Sequence, residues 1–209
     1  MPRPSNTDER RAQITGALIK VMAKRGYDGA SVADIAKVAR LTPGLVHYHF
    51  KSKQEILLAA LRALVARHQA NLEARLAGAQ GDPIAEVAAF IDFHLGLGDA
   101  DPEALACWIL LSGEALRERK VRVEFARALE TSAQRLADTI RRGVQQNVLA
   151  CASVEAAACA LVATIQGYLV LAGTARTMIP EGSAAASTRQ MAHGLLRPAH
   201  ALPASGRRA

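Results

Sequence analysis

The chain has 209 residues, half of them hydrophobic but only 4% aromatic; it is long enough for a sizeable core, and this balance favours packed helices over sheets of β-branched and aromatic residues. Its formal charge is +7, and residues 1–53, with ten Lys or Arg against four Asp or Glu, hold six of those seven charges. A basic excess confined to one quarter of a chain is the footprint of a nucleic-acid-binding module. No uninterrupted apolar run reaches the roughly eighteen residues of a membrane span, and the first twenty residues are charged where a signal peptide is apolar. The expectation is a cytoplasmic protein with no membrane partner.

Residues 1–6 read as a flexible arm on which Arg3 is a candidate minor-groove reader. From Thr7 onward, Ile14, Ala17, Leu18, Val21 and Met22 form one apolar stripe, and Gly26 stands where a helix C-cap belongs. Ser31 can cap a second helix that carries Val32, Ile35, Ala36 and Ala39. Thr42-Pro43 then supplies a capping hydroxyl followed by proline at the first helical position, and a third short helix runs to about Phe50. A long helix is predicted from about Lys53 to Leu76 and another over 83–97. One or two helices hold Leu105, Trp108, Ile109 and Leu111. Long helices follow at about 121–147 and 153–178, with a short one over 184–196 and a disordered tail over 198–209. The segment 153–178 is apolar nearly all round, so a second partner must cover it. The fold expected is all-α: an N-terminal helix-turn-helix domain over 1–53 and a larger helical domain over 54–197.

Three short helices in fifty residues, two joined by a tight turn, are the parts of a helix-turn-helix DNA reader. A groove-facing helix must keep its outer side chains polar or small, and Thr42, Pro43, Gly44, Leu45, His47 and Tyr48 meet that requirement while Val46 and Phe50 hold the helix down. His47 and His49 are two residues apart and so point to opposite sides of a helix; they cannot share a metal ion. Pro43 and Leu45 suit thymine methyls, and Thr42 can bond a phosphate or a base.

The stretches RRAQITGALIKVMAKRGYDGASVADIAKVA and GLVHYHFKSKQEILLAAL resemble the TetR family of bacterial transcriptional regulators over about residues 9–61. The resemblance implies an all-α homodimer that binds a palindromic operator in double-stranded DNA, with a C-terminal domain that dimerises and binds a small-molecule effector. It places the hydroxyl of Ser31 and the ammonium of Lys53 against phosphates, and Tyr48, His49 and Phe50 in the family's aromatic cluster. Two positions depart from the pattern: His47 stands where tyrosine is usual, and Arg40 where glycine is usual. A left-handed Arg40 would cost about 1 kcal/mol, recoverable through a phosphate contact. The stretch SGEALRERK is loosely similar to the branch that includes choline-pathway repressors.

In the C-terminal part, Phe90, Phe93, His94, Cys107, Trp108 and Phe125 are either walls of an effector pocket or plain core. The helices near 121–147 and 153–178 form the expected dimer surface, where Ala156, Ala160, Ala163, Gly167 and Gly173 allow close approach. Cys107, Cys151 and Cys159 are odd in number without CxxC spacing, which indicates no disulfide framework and no metal site; an intersubunit thiol switch is the competing reading. No nucleophile-elbow, P-loop, GxGxxG or HExxH pattern is present, so neither an enzyme nor a cofactor is expected. The function expected is a repressor released from its operator by an effector.

Overall fold

The computed structural model describes residues 6–79, 81–96 and 102–198. Arg3 and most of the expected tail lie outside the described residues. Among those described, the long elements are all helices: α1 (Asn6–Arg25), α2 (Val32–Ala39), α3 (Pro43–His49), α4 (Lys53–Leu76), α5 (Pro83–Leu95), α6 (Pro102–Arg117), α7 (Arg119–Gln145), α8 (Val154–Thr174) and α9 (Ser183–Leu196).

Two compact units divide them. Of the described residues, the first holds α1–α3, α4 as far as Arg67, and 102–126, so residues 6–53 pack within a larger unit. Its core joins Ile14, Leu18 and Met22 of α1 to Ile35, Val46, Phe50, Leu57 and Leu61, and to Cys107 and Leu111 of α6. Of the described residues, the second unit holds 68–79, 81–96 and 127–198, with Phe90, Ile91, Leu136, Ile140, Leu161 and Ile165 at its centre.

The start and stop signals act where the sequence puts them. Gly26 ends α1 at φ 70°. The Ser31 hydroxyl accepts from the Asp34 amide (3.0 Å) while the Asp34 carboxylate accepts from the Ser31 amide (3.3 Å), a closed capping box for α2. Arg40 does take the left-handed conformation, φ 54° and ψ 43°, and the next amide, Leu41, reaches back to the carbonyl of Ala36 (2.9 Å). The Thr42 hydroxyl caps α3 through the Leu45 amide (3.3 Å), and the helix stops at His49, with Phe50 extended at φ −139°. Asp82 caps α5 ahead of Pro83.

Residues 102–117 form a single helix, one of the two expected possibilities. Boundaries differ from expectation at two places. The chain turns at Asn147, φ 57°, after α7 has ended at Gln145. The apolar segment expected to reach 178 leaves the helix at Ala175 (φ −145°, ψ 49°) and makes a separate 3-10 turn, Arg176–Met178. Among the described residues α8 is long and apolar enough, by length and composition, to cross a membrane, because its average stays apolar despite Glu155 and Gln166. One face of it, Ala157, Ala158, Leu161, Val162 and Ile165, packs into the second unit's core against α5 and α9.

Candidate nucleic-acid interface and effector site

A helix of seven residues is too short to be stable alone, so packing sets its attitude. In α3, Val46 is buried and Phe50 just beyond it is buried, which turns the other sides outward. Thr42, Pro43, Gly44, His47 and Tyr48 are exposed, Tyr48 at 78%, and Leu45 is half-buried. A Cβ built on Gly44 would have no neighbour within 4 Å, so this backbone lies open to a partner. His47 is exposed and His49 half-buried with its ring edge-on to Tyr48 (5.1 Å, 88°), which separates the two histidines as their spacing requires.

Arg40 and Ser31 are exposed as well. The Ser31 hydroxyl also donates to Asp34 (2.6 Å), whose carboxyl is held below its ordinary value first by that bond. Lys53 is already engaged. Its ammonium donates to the Tyr27 carbonyl (2.9 Å) and lies 4.2 Å from the Tyr27 ring centre. Burial, with Glu114 and Glu118 nearby, pushes the Tyr27 hydroxyl up to about 12, so the ring beneath the lysine stays neutral. An ammonium has three donors, and two remain for a phosphate.

Sequence reasoning missed two residues of α1. Arg11 donates to the His49 carbonyl at the end of α3 (2.5 Å), and Gln13 donates to the Ala39 carbonyl at the end of α2 (2.5 Å). Both carbonyls are helix-end acceptors of the kind that need an external donor, but no local pattern says which distant side chain will supply it.

The six residues expected to wall one pocket separate into two cores. Cys107, Trp108 and Phe125 belong with the first unit, because α6 packs on α1; Trp108 and Phe125 stack at 4.4 Å between centres. Burial pushes the Cys107 thiol up to about 12, leaving it un-ionised and unreactive near neutrality. Phe90, Phe93 and His94 lie on α5 in the second unit, joined by His68 of α4. The ring centres of Phe90 and His94 are 4.4 Å apart and those of His68 and Phe93 4.9 Å. His94 Nδ1 is 2.8 Å from the Phe90 carbonyl, and its Nε2 is 3.0 Å from Nε2 of His68. An acceptor carbonyl fixes the proton on Nδ1 of His94, leaving its Nε2 to accept from His68. Burial pulls the His94 imidazole down to about 4 and lowers His68 as well. The cluster is therefore aromatic and uncharged at neutral pH. Among the described residues no group of three or more His, Cys, Asp or Glu could hold a metal ion.

Comparison with known proteins agrees with both halves. Residues 14–60 match the family described as bacterial regulatory proteins, tetR family, and residues 83–197 match the BetI-type transcriptional repressor C-terminal family. The HTH-type transcriptional regulator BetI of Rhizobium meliloti (strain 1021) is 29% identical over 135 residues, 63% of this chain and 66% of that protein. BetI of Agrobacterium fabrum is 28% identical over 122 residues, 58% and 59% of the two chains. These matches span less than two thirds of either relative's length. Among solved structures, a transcriptional regulator from Saccharomonospora viridis in complex with choline superposes with a TM-score of 0.77 at 26% identity, over 90% of this chain and 98% of that one. A TetR-family regulator from Rhodococcus sp. gives 0.78 at 24% identity with the same coverage, which speaks for the fold alone. With both family matches on the chain, and the second covering more than half of it, this protein belongs to the TetR family of bacterial DNA-binding transcriptional regulators, in its BetI-type repressor branch.

Proposed function

We propose that this regulator is a cytoplasmic homodimeric repressor whose two α3 helices read a palindromic operator and whose hold on it is relieved by a small-molecule effector. The observation that carries the reading is the division of α3, with Val46 and Phe50 inside and Thr42, Pro43, Gly44, His47 and Tyr48 outside. In this reading Pro43, Gly44 and Leu45 approach base edges, while Ser31, Arg40, Thr42, His47, Tyr48 and Lys53 meet the backbone. The segment 1–53 is the DNA-reading part and 54–197 the part that assembles and senses.

Assembly rests on α8. Its outward face carries Ala156, Cys159, Ala160, Ala163, Gly167 and Val170, small or apolar side chains that let a second helix come close. The sequence expectation paired this helix with the one near 121–147. In the second unit, however, α7 turns Arg127, Glu130, Gln134 and Asp138 outward, whereas α9, packed on α8, exposes Met191 at 50% and Leu195 at 41%. The dimer surface proposed is therefore α8 with α9.

For the effector, the cluster of Phe90, Phe93, His94 and His68 offers π-faces and neutral imidazoles, the surroundings that suit a small organic cation. The choline held by the S. viridis regulator supports the same class. Release requires only that the effector bind the two conformations of the dimer unequally.

Selection of bound fragments from genomic DNA, followed by binding measurements with and without choline, tests the reading. A recovered palindrome whose affinity falls when choline is added is the result expected; no enrichment at low ionic strength would remove the proposal. On the recovered operator, Lys53→Ala should weaken binding to all DNA and flatten its salt dependence, while Leu45→Ala should change preference among operator variants.

A further inference from the structure

The guanidinium of Arg11 lies across the end of α3. Its Nη1 donates to the His49 carbonyl (2.5 Å), its carbon sits 4.0 Å from the centre of the Phe50 ring, and its Nη2 is 3.6 Å from a Glu55 oxygen. Glu55 in turn accepts from the Lys51 amide (2.8 Å), and its own amide donates to the Ser52 hydroxyl (3.1 Å). One side chain from α1 thus touches the last turn of α3, the residue that ends it, and the first turn of α4. A cation at a helix C-terminus meets unsatisfied carbonyls and the negative end of the helix dipole, so the contact favours this orientation of α3 over others. Lysine could supply the charge but not the flat surface on Phe50 together with the forked donors. Gln13, two residues along α1, holds the Ala39 carbonyl where α2 ends, so both helices of the reading motif are tied at their C-termini to the same helix.

From this geometry we infer that Arg11 is a positioning residue for operator recognition: by fixing the angle of α3 it sets base readout and acts through His49, Phe50 and Glu55 without taking a DNA contact of its own. The inference rests on the assignment of α3 as the DNA-reading helix. Positioning and phosphate contact leave different marks. Base contacts require alignment, whereas non-specific affinity is set by charge and follows salt.

The experiment compares Arg11→Ala, Arg11→Lys and Glu55→Gln with the unaltered protein. Each is titrated against the operator fragment recovered by genomic selection and against a random duplex of equal length, over a series of salt concentrations, well below every variant's melting midpoint. For Arg11→Ala the expected result is a loss of roughly tenfold or more in the operator-to-random affinity ratio, with the salt slope on random DNA changed by less than about one ion. Arg11→Lys should lose part of that ratio while keeping the full charge, and Glu55→Gln a smaller part. An unchanged ratio overturns the inference, and so does a parallel fall on both duplexes with the slope reduced by about one, which would make Arg11 a phosphate contact. Should the alanine variant fail to fold, the lysine variant decides alone by the same ratio. Failure of the unaltered protein to distinguish the two duplexes would instead strike at the assignment of α3.

Discussion

The two units solve opposite problems with similar helices. In the first, function is proposed for what packing leaves outside: Tyr48 in water, Gly44 bare, and Arg40 in a conformation its side chain disfavours. In the second, function is proposed for a partly buried cluster, His94 and Phe93 beside the buried Phe90 with the exposed His68 against them, and for a stripe of small residues that no part of the described chain covers. A surface that reads a polymer departs visibly from an ordinary surface. An effector chamber is made of the same residues as a core, and only polar groups placed inside it set it apart.

The largest effect should come from breaking the second unit's outer face. Ala163→Glu would put an unpaired carboxylate into the proposed α8 contact twice over, and dimer dissociation should rise by about 100-fold or more, with operator binding lost and helical content kept. Sedimentation at several protein concentrations measures it; an unmoved dimer would show that the contact lies elsewhere.

The histidine pair gives the next effect. His94 titrates near 4 in the folded chain, well under the roughly 6.5 of an unfolded histidine. The unfolded state therefore takes up a proton that the folded state refuses. Stability is complete above about pH 6.5 and falls as pH drops toward 4, by at most about 3 kcal/mol, with His68 shifted in the same sense. Asp92 opposes this, because burial holds its carboxyl above the ordinary value in spite of Arg189, and its protonation favours the fold. His94→Gln should flatten the slope of denaturation midpoint against pH between 6.5 and 4; an undiminished slope would place the acid sensitivity elsewhere.

What was legible in the sequence follows the same division. Ser31, Thr42-Pro43 and Gly26 act through neighbours three or four residues away, so the end of α1 and the starts of α2 and α3 could be read directly, whereas the left-handed Arg40 was signalled only by the family resemblance, in which glycine is usual there. Arg11 with His49 is separated by 38 residues and His68 with His94 by 26, and no spacing rule reaches that far. That the six aromatic and neighbouring candidates fall into two cores was not legible for a related reason. Periodicity shows that residues 102–117 have an apolar face but not which neighbour it meets, and α6 meets α1.

Two glycines sharpen the contrast between close packing and open surface. A Cβ on Gly143 would stand 2.5 Å from a Leu149 methyl and 3.0 Å from Pro83, so Gly143→Ala should destabilise the second unit by about 1–3 kcal/mol in a denaturant titration. At Gly44 the same added methyl meets nothing within the chain. Gly44→Ala should stabilise α3 by roughly 0.5–1 kcal/mol yet weaken operator binding about tenfold, because the methyl occupies space the base edges need. Equal binding by the alanine variant would mean that the start of α3 does not enter the groove.

The smallest effect is also the one that separates strain from contact. Arg40 holds φ 54°, where a side chain costs about 1 kcal/mol relative to glycine. Arg40→Gly should therefore raise the denaturation midpoint slightly while removing one cation from the side proposed to face DNA. If Arg40 meets a phosphate, the slope of log affinity against log salt should fall by about one on operator and random DNA alike. A stabilised variant with an unchanged slope would leave the arginine as strain without a DNA contact, and the backbone-positioning role would pass to Lys53 and Ser31. A destabilised variant would show that the side chain of Arg40 holds the turn in some other way, and that glycine's freedom in the unfolded chain outweighs the strain relieved.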